Sequence, residues 1–263
     1  NRSSFDVEEA LVYVEFALLE NKLTLYADQR IGPGGSTNRE AYALMWFNDR
    51  SWYVKAGRLF LPYGWRLEDD SEFIRQVPGI NYATPDDGVE IGLEYRNASL
   101  SLAVTNGVAG GNESDTGKQF SLAGTYVQNR WRAGASFNYN DADSGDRRMQ
   151  NVYAGLRTGP VNWLGQVDYI VDDGTPTGRR KQLVSFLEAN VAFRQGHNLK
   201  FTYGYFDPDD DVDEDERNRY SIVWEYFPAA FTQFSLGARI SEGIPQNDNQ
   251  NTDEVFAQLH IYY

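Results

Sequence analysis

The segment Gly88-Val89-Glu90-Ile91-Gly92-Leu93-Glu94-Tyr95-Arg96 puts Val89, Ile91, Leu93 and Tyr95 on one side and Gly88, Glu90, Gly92, Glu94 and Arg96 on the other. Successive side chains of a strand point to opposite faces, so this period of two predicts a β-strand. The same split recurs in Trp131 to Asn140, Leu199 to Tyr205, Arg219 to Phe227 and Gln233 to Ile240. Ala10 to Leu18 and Leu183 to Phe193 also fit amphipathic helices, and Tyr42 to Phe47 is apolar on both faces; their context predicts strands.

Fifteen candidate strands follow, centred on Val12, Leu25, Leu44, Val54, Ile91, Leu102, Leu122, Ala135, Ala154, Val167, Leu187, Phe201, Ile222, Leu236 and Leu259. Most run for about 9 to 11 residues, the length of a tilted strand crossing a bilayer. All nine prolines are expected between strands, because proline cannot donate to a ladder. Connections alternate: short turns near Glu20, Asn48, Arg96, Gln128, Thr158, Gln195 and Phe227 separate longer polar loops at 28–39, 61–87, 106–118, 140–148, 172–180, 207–218 and 242–253. Short turns on one side and long loops on the other are the pattern of an outer-membrane barrel.

A soluble β-sandwich also alternates, but its solvent face is charged. Here the polar face is rich in Gly, Ser, Asn and Gln, and the apolar face ends repeatedly in Tyr, Trp or Phe. Such rings suit membrane interfaces. The expectation is therefore an all-β, transmembrane, antiparallel up-and-down β-barrel occupying 1–263 as a single domain. About 15 strands are visible. If the last strand ends on the periplasmic side, the first visible one descends, and an ascending strand should precede Asn1; the parent protein is expected to have 16, with 14 possible.

The 263 residues carry 38 Asp and Glu against 24 Lys and Arg, a formal charge of −14, which argues against a nucleic-acid partner. Cysteine is absent, which excludes disulfide scaffolds, thiolate metal centres and c-type haem attachment, and no cofactor is expected. The longest apolar run, Ala41 to Phe47, is too short for a membrane-crossing helix. The start at Asn1, without a leader, reads as a mature or trimmed product. Aromatics number 17 Tyr, 15 Phe and 6 Trp, a composition suited to boundaries between oil and water.

Two stretches carry a resemblance. Val255-Phe256-Ala257-Gln258-Leu259-His260-Ile261-Tyr262-Tyr263 resembles the C-terminal assembly signal of bacterial outer-membrane proteins. Val54 to Gly64, with Gly57-Arg58 and Pro62-Tyr63-Gly64, followed by Ser71, Phe73 and Arg75 and by Asp87 to Gly92, is similar to the phosphate-selective (porin O/P-like) porin family over about forty residues. That resemblance implies an outer-membrane pore and a homotrimer. Phosphate-selective members line the lumen with many basic residues; this acidic chain has no comparable run, so the architecture carries over and the selectivity does not.

With the apolar faces turned to lipid, the expected pore-lining set is Glu15, Lys22, Glu90, Glu94, Arg132, Arg157, Asp168, Glu188, Arg194, Lys200, Arg219, Glu225 and Arg239. These charges either create a transverse field across a constriction or pair across adjacent strands. Arg58 fits either face. The longest loop, 61–87, carries Arg66, Glu68, Asp69, Asp70 and Arg75 as constriction candidates, with Trp65 and Phe73 seeking burial. In the acidic run 207–216, Asp207, Asp209, Asp211 and Asp213 could offer oxygens to Ca²⁺, although the string lacks EF-hand spacing and a solvated charged loop also fits.

His197 lies in a short turn and His260 on the final strand, and neither Gly-x-Ser-x-Gly nor His-Glu-x-x-His occurs. Enzymatic activity is not expected. The sequence favours a water-filled channel in the bacterial outer membrane, passing ions and small polar solutes with weak cation preference, among lipid and lipopolysaccharide. The alternative is a non-conducting surface-binding or scaffold barrel.

Overall fold

The computed structural model describes residues 9–32, 34–67, 69–113, 116–143, 145–176 and 178–262. Its strands are β1 (Ala10–Leu18), β2 (Leu23–Gly32), β3 (Gly35–Thr37), β4 (Ala41–Phe47), β5 (Trp52–Leu59), β6 (Asp86–Tyr95), β7 (Ala98–Thr105) and β8 (Gln119–Val127). They continue with β9 (Trp131–Asn140), β10 (Arg147–Thr158), β11 (Val161–Thr175), β12 (Gly178–Arg194), β13 (His197–Asp207), β14 (Arg217–Ala229), β15 (Thr232–Glu242) and β16 (Thr252–Ile261). One short helix, α1 (Phe73–Gln76), interrupts them. No described helix is long and apolar enough to cross a membrane.

The strands form a 16-stranded sheet in which chain neighbours pair in order from β1 to β16, with β3 off the path against β2. The fifteen alternating segments are all strands, and the sixteenth is the three-residue β3, which folds back on β2 within the first long loop. Ala10–Leu18 and the Leu183–Phe193 stretch are strands rather than helices, because each pairs in register with its neighbours: Glu15 opposite Tyr26, and Leu187 opposite Gly165 and Tyr203.

Two expectations are corrected. Pro228 lies inside β14, not between strands; the β14–β15 register shifts between Tyr226 and Ala229, and this irregularity admits a residue that cannot donate. The expected loop 172–180 is mostly ladder, since β11 runs to Thr175 and β12 starts at Gly178. Asp172 holds this extension together, accepting from Arg180 at 2.7 Å and Gln182 at 2.6 Å.

Burial is inverted relative to a water-soluble sheet. On β6, Val89, Ile91 and Leu93 are about half exposed while Glu90 is only 6% exposed. Across the ladder Ile91 faces Val54 and Leu102, giving an apolar outer row, whereas Glu90 faces Lys55 and Ala103 on the other side. Full burial of a Val, Leu or Ile is worth about 1.5–3 kcal/mol, so a row of them turned outward is stable only against hydrocarbon. Arg58 shares the outer-row parity with Val54 and Ala56, and two 3.0 Å hydrogen bonds to the carboxylate of Asp87 neutralise it.

The polar face is packed by seating aromatics on glycines. A Cβ on Gly92 would lie 2.0 Å from the Tyr53 ring, and one on Gly237 would lie 2.3 Å from the Phe256 ring. Each glycine is the direct cross-strand partner of the aromatic that covers it. Such pairs explain why glycine recurs on the polar side of alternating segments.

The chain divides into two compact units: Asn1–Tyr63, Gly79–Gly124 and Ser136–Asp146 in the first, and Gly64–Pro78, Thr125–Ala135 and Arg147–Tyr263 in the second. The first unit holds β1 to β7. The second holds β10 to β16 and the middle of the longest loop.

Candidate functional site

The loop segment 64–78 lies against the polar face of the second unit. Apolar and charged residues anchor it together. Phe73 and Ile74 are each 2% exposed, and the Phe73 ring sits 5.7 Å from that of Phe206, with the Arg219 guanidinium 4.3 Å from its centroid. Trp65 donates its backbone N–H to Gln166 at 2.7 Å and its indole N–H to the Gly165 carbonyl at 3.0 Å. Its ring packs 5.1 Å from Tyr153 and beneath the guanidinium of Arg132 at 4.5 Å. The polar face of the sheet thus buries Phe73 and half-buries Trp65.

Three arginines tie the segment down. Arg147 donates to the Val77 carbonyl at 2.6 Å, Arg219 to the Ser71 carbonyl and Arg239 to the carboxylate of Asp69. Arg219 and Arg239 belong to the expected pore-lining set and Asp69 to the expected loop set, so residues far apart in sequence meet here. Arg75 is almost fully buried, and Asp70, its neighbour at 3.5 Å, is exposed. Arg66 is exposed; Glu68 falls outside the described residues.

Beneath this segment a cavity of about 430 Å³ opens against β12 to β15. Polar rungs cross its wall, with Glu188 opposite Thr202, Thr202 opposite Ser221, and Ser221 opposite Arg239. Lys200 pairs with Glu225 at 2.8 Å, and Gln233 donates to the same carboxylate at 3.0 Å. Glu72 stands apart: it is 1% exposed and neither carboxylate oxygen has a hydrogen-bond partner. Burial pushes its carboxyl up to about 7, helped by Asp69 and Glu188 and opposed by Arg239 and Arg219.

The model of the Gram-negative porin family matches residues 22–253. The chain belongs to the Gram-negative porin family. Among solved structures, the OmpT loop-deletion mutant of Vibrio cholerae is similar with a TM-score of 0.73 at 10% identity, covering 97% of this chain and 90% of that one. The anion-selective porin from Comamonas acidovorans has a TM-score of 0.69 at 10% identity, covering 95% and 83%. A trimer form of Vibrio cholerae OmpT has a TM-score of 0.66 at 10% identity, covering 94% and 86%. No curated protein matches the sequence.

The fold is therefore the antiparallel up-and-down β-barrel of outer-membrane porins, and the chain is a porin channel of the bacterial outer membrane. The outward rows of Val, Leu, Ile and aromatics are its lipid-facing belt.

The remaining expected residues of this porin are spread along both units. Glu90 accepts from Tyr53 at 2.6 Å, and Asp168, fully buried, accepts from Gln166 at 2.8 Å. Glu15, Lys22, Glu94, Arg157 and Arg194 are exposed and join none of the groups around the loop segment.

Several polar-face residues escape a reading by charge alone. In the first unit Tyr13, Tyr26 and Tyr42 stack in sequence at 5.9 and 5.1 Å, and the Lys55 ammonium sits 4.0 Å from the Tyr42 centroid while pairing with Glu40 at 2.7 Å. Lys55 and Tyr53 share one parity and could have been found from it. Glu72 could not, because loop residues have no period.

In the acidic run, Asp207 and Asp209 accept backbone N–H groups of Asp209 and Asp211 at 3.2 and 3.4 Å. Asp211 lies 3.4 Å from Lys181, and Asp213 is exposed. No group of three or more His, Asp or Glu among the described residues is placed to hold a metal ion. The run is organised by turn hydrogen bonds, as Asp side chains favour.

Proposed function

We propose that the porin passes ions and small polar solutes passively through a water-filled lumen narrowed by the 61–87 loop, with weak cation preference. The observation that supports this most is the segment 64–78 held on the polar face by Arg147, Arg219 and Arg239, since a loop fixed inside narrows a pore and a loop lying outside does not. Arg219 and Arg239, two of the expected pore-lining charges, are among the residues that hold it. The formal charge of −14 supports cation preference, which the exposed acids of 207–216 would concentrate at the mouth. Of the resemblance to phosphate-selective porins, only the architecture is taken over.

Assembly as a homotrimer is supported by the trimer form among similar folds. Lipid and lipopolysaccharide are the natural neighbours of the outer belt. His197 stacks on Tyr226 at 4.6 Å, a packing role that favours transport over catalysis.

Planar-bilayer recording tests the reading. Discrete KCl conductance steps and a reversal potential favouring K⁺ are expected, and deletion of residues 66–80 should raise the step size severalfold. Absence of steps from folded protein would favour the scaffold alternative, and an unchanged step after deletion would remove the constriction.

A further inference from the structure

The cavity beneath the loop segment has an uneven charge inventory. Four carboxylates line it, Asp69, Glu72, Glu188 and Glu225, against two cations, Arg66 and Lys200. Asp69 is engaged by Arg239, and Glu225 by Lys200 and Gln233. Arg219 and Arg239, which flank the site, donate to Ser71, Ser241, Ser221, Asp69 and Glu254, and their charges also face Glu72.

Two acids remain. Glu72 is 1% exposed with both oxygens unpartnered, and Glu188, 9% exposed, is faced only by the charge of Lys200, which Glu225 already holds at 2.8 Å. An unpaired buried carboxylate costs several kcal/mol unless something compensates it. Thr202, directly across from Glu188, also has a buried hydroxyl oxygen without a partner. Val223 and Phe227 supply apolar wall.

We infer that this cavity is a recognition site for the primary ammonium group of a small alkylammonium solute, held between Glu72 and Glu188 with its alkyl tail against Val223 and Phe227. The inference rests on the channel reading for its biological meaning. An ammonium group fits better than a bare metal ion, because the acids do not converge as a ligand set, while N–H donors can serve separate carboxylates and the Thr202 hydroxyl. An anion is disfavoured by the lining charge. The volume of about 430 Å³ suits a small amine.

The test uses the full chain in planar bilayers in KCl, with n-butylammonium as probe and tetramethylammonium as a comparison that carries the same charge without N–H donors. Concentration-dependent interruption of the current by n-butylammonium is expected, at least tenfold weaker with tetramethylammonium. Glu72→Gln and Glu188→Gln should each weaken the block at least tenfold, measured against that variant's own KCl current, while Asp248→Asn in an outer loop leaves it unchanged. Heat-modifiable gel mobility establishes that each variant is folded, and Glu188→Gln carries the test should Glu72→Gln fail to fold.

Equal block by both cations, or block that survives both substitutions, would overturn the site and leave the channel standing. Absence of KCl conductance would overturn the channel reading instead; calorimetric titration of n-butylammonium into the detergent-solubilised protein then decides the site, and no Glu72-dependent heat would end it.

Discussion

At the scale of single residues, Glu72 carries the most consequence. Its folded-state pKa, about 7, is raised above the ordinary 4.5 by burial, so the neutral acid is favoured in the docked loop. The contribution to docking is complete below about pH 4.5 and is lost as pH rises through about 7. Loop docking is therefore expected to loosen between those values, read as faster cleavage within 64–78 by a protease active across that range. Glu72→Gln should flatten the profile, and an unaltered pH dependence in that variant would remove Glu72 as its source. Trp65 acts through packing. Trp65→Ala removes a ring contact with Tyr153, a cation–π contact with Arg132 and a hydrogen bond to Gly165. A loss of about 3–5 kcal/mol of local docking is expected from aromatic truncation, visible as noisier and larger current steps.

At the scale of elements, the strands depend on cross-strand seats as much as on alternation. Gly237 faces Phe256 between β15 and β16, and a Cβ there would collide with the ring. Gly237→Val should cost about 1–3 kcal/mol through overpacking, lowering the temperature at which the folded band disappears on unboiled gels; the outward-facing Leu236→Val should shift it less. Alternation placed every long strand, including the two segments that also suited helices, because pairing satisfies the backbone in lipid. It missed the ladder at 172–180, whose composition is that of a loop. There Asp172, accepting from Arg180 and Gln182, supplies order that no local preference signals. It also misplaced Pro228, since a register shift is decided by the neighbouring strand.

At the scale of the whole molecule, a charge of −14 is split between a mixed polar face and acid-rich outer loops. Cation preference from exposed loop acids should fade as ionic strength rises, because screening shortens from about 10 Å at 0.1 M to 3 Å at 1 M. Reversal potentials measured at those two concentrations are expected to converge toward zero; persistence at 1 M would place selectivity at the buried acids instead. What the sequence alone determined is the barrel, its outward and inward faces and its membrane setting, since these follow from a period of two repeated against a lipid solvent. It also flagged the long loop and the charges Arg219, Arg239 and Asp69. Only the tertiary structure decided that these charges meet, that Lys200 is absorbed by Glu225, that Arg58 belongs to the outer row, and that Glu72 is buried without a partner. The reason is physical: facing is a local property of a strand, whereas contact between a loop and strands more than a hundred residues away depends on how the chain returns, and no local pattern encodes it.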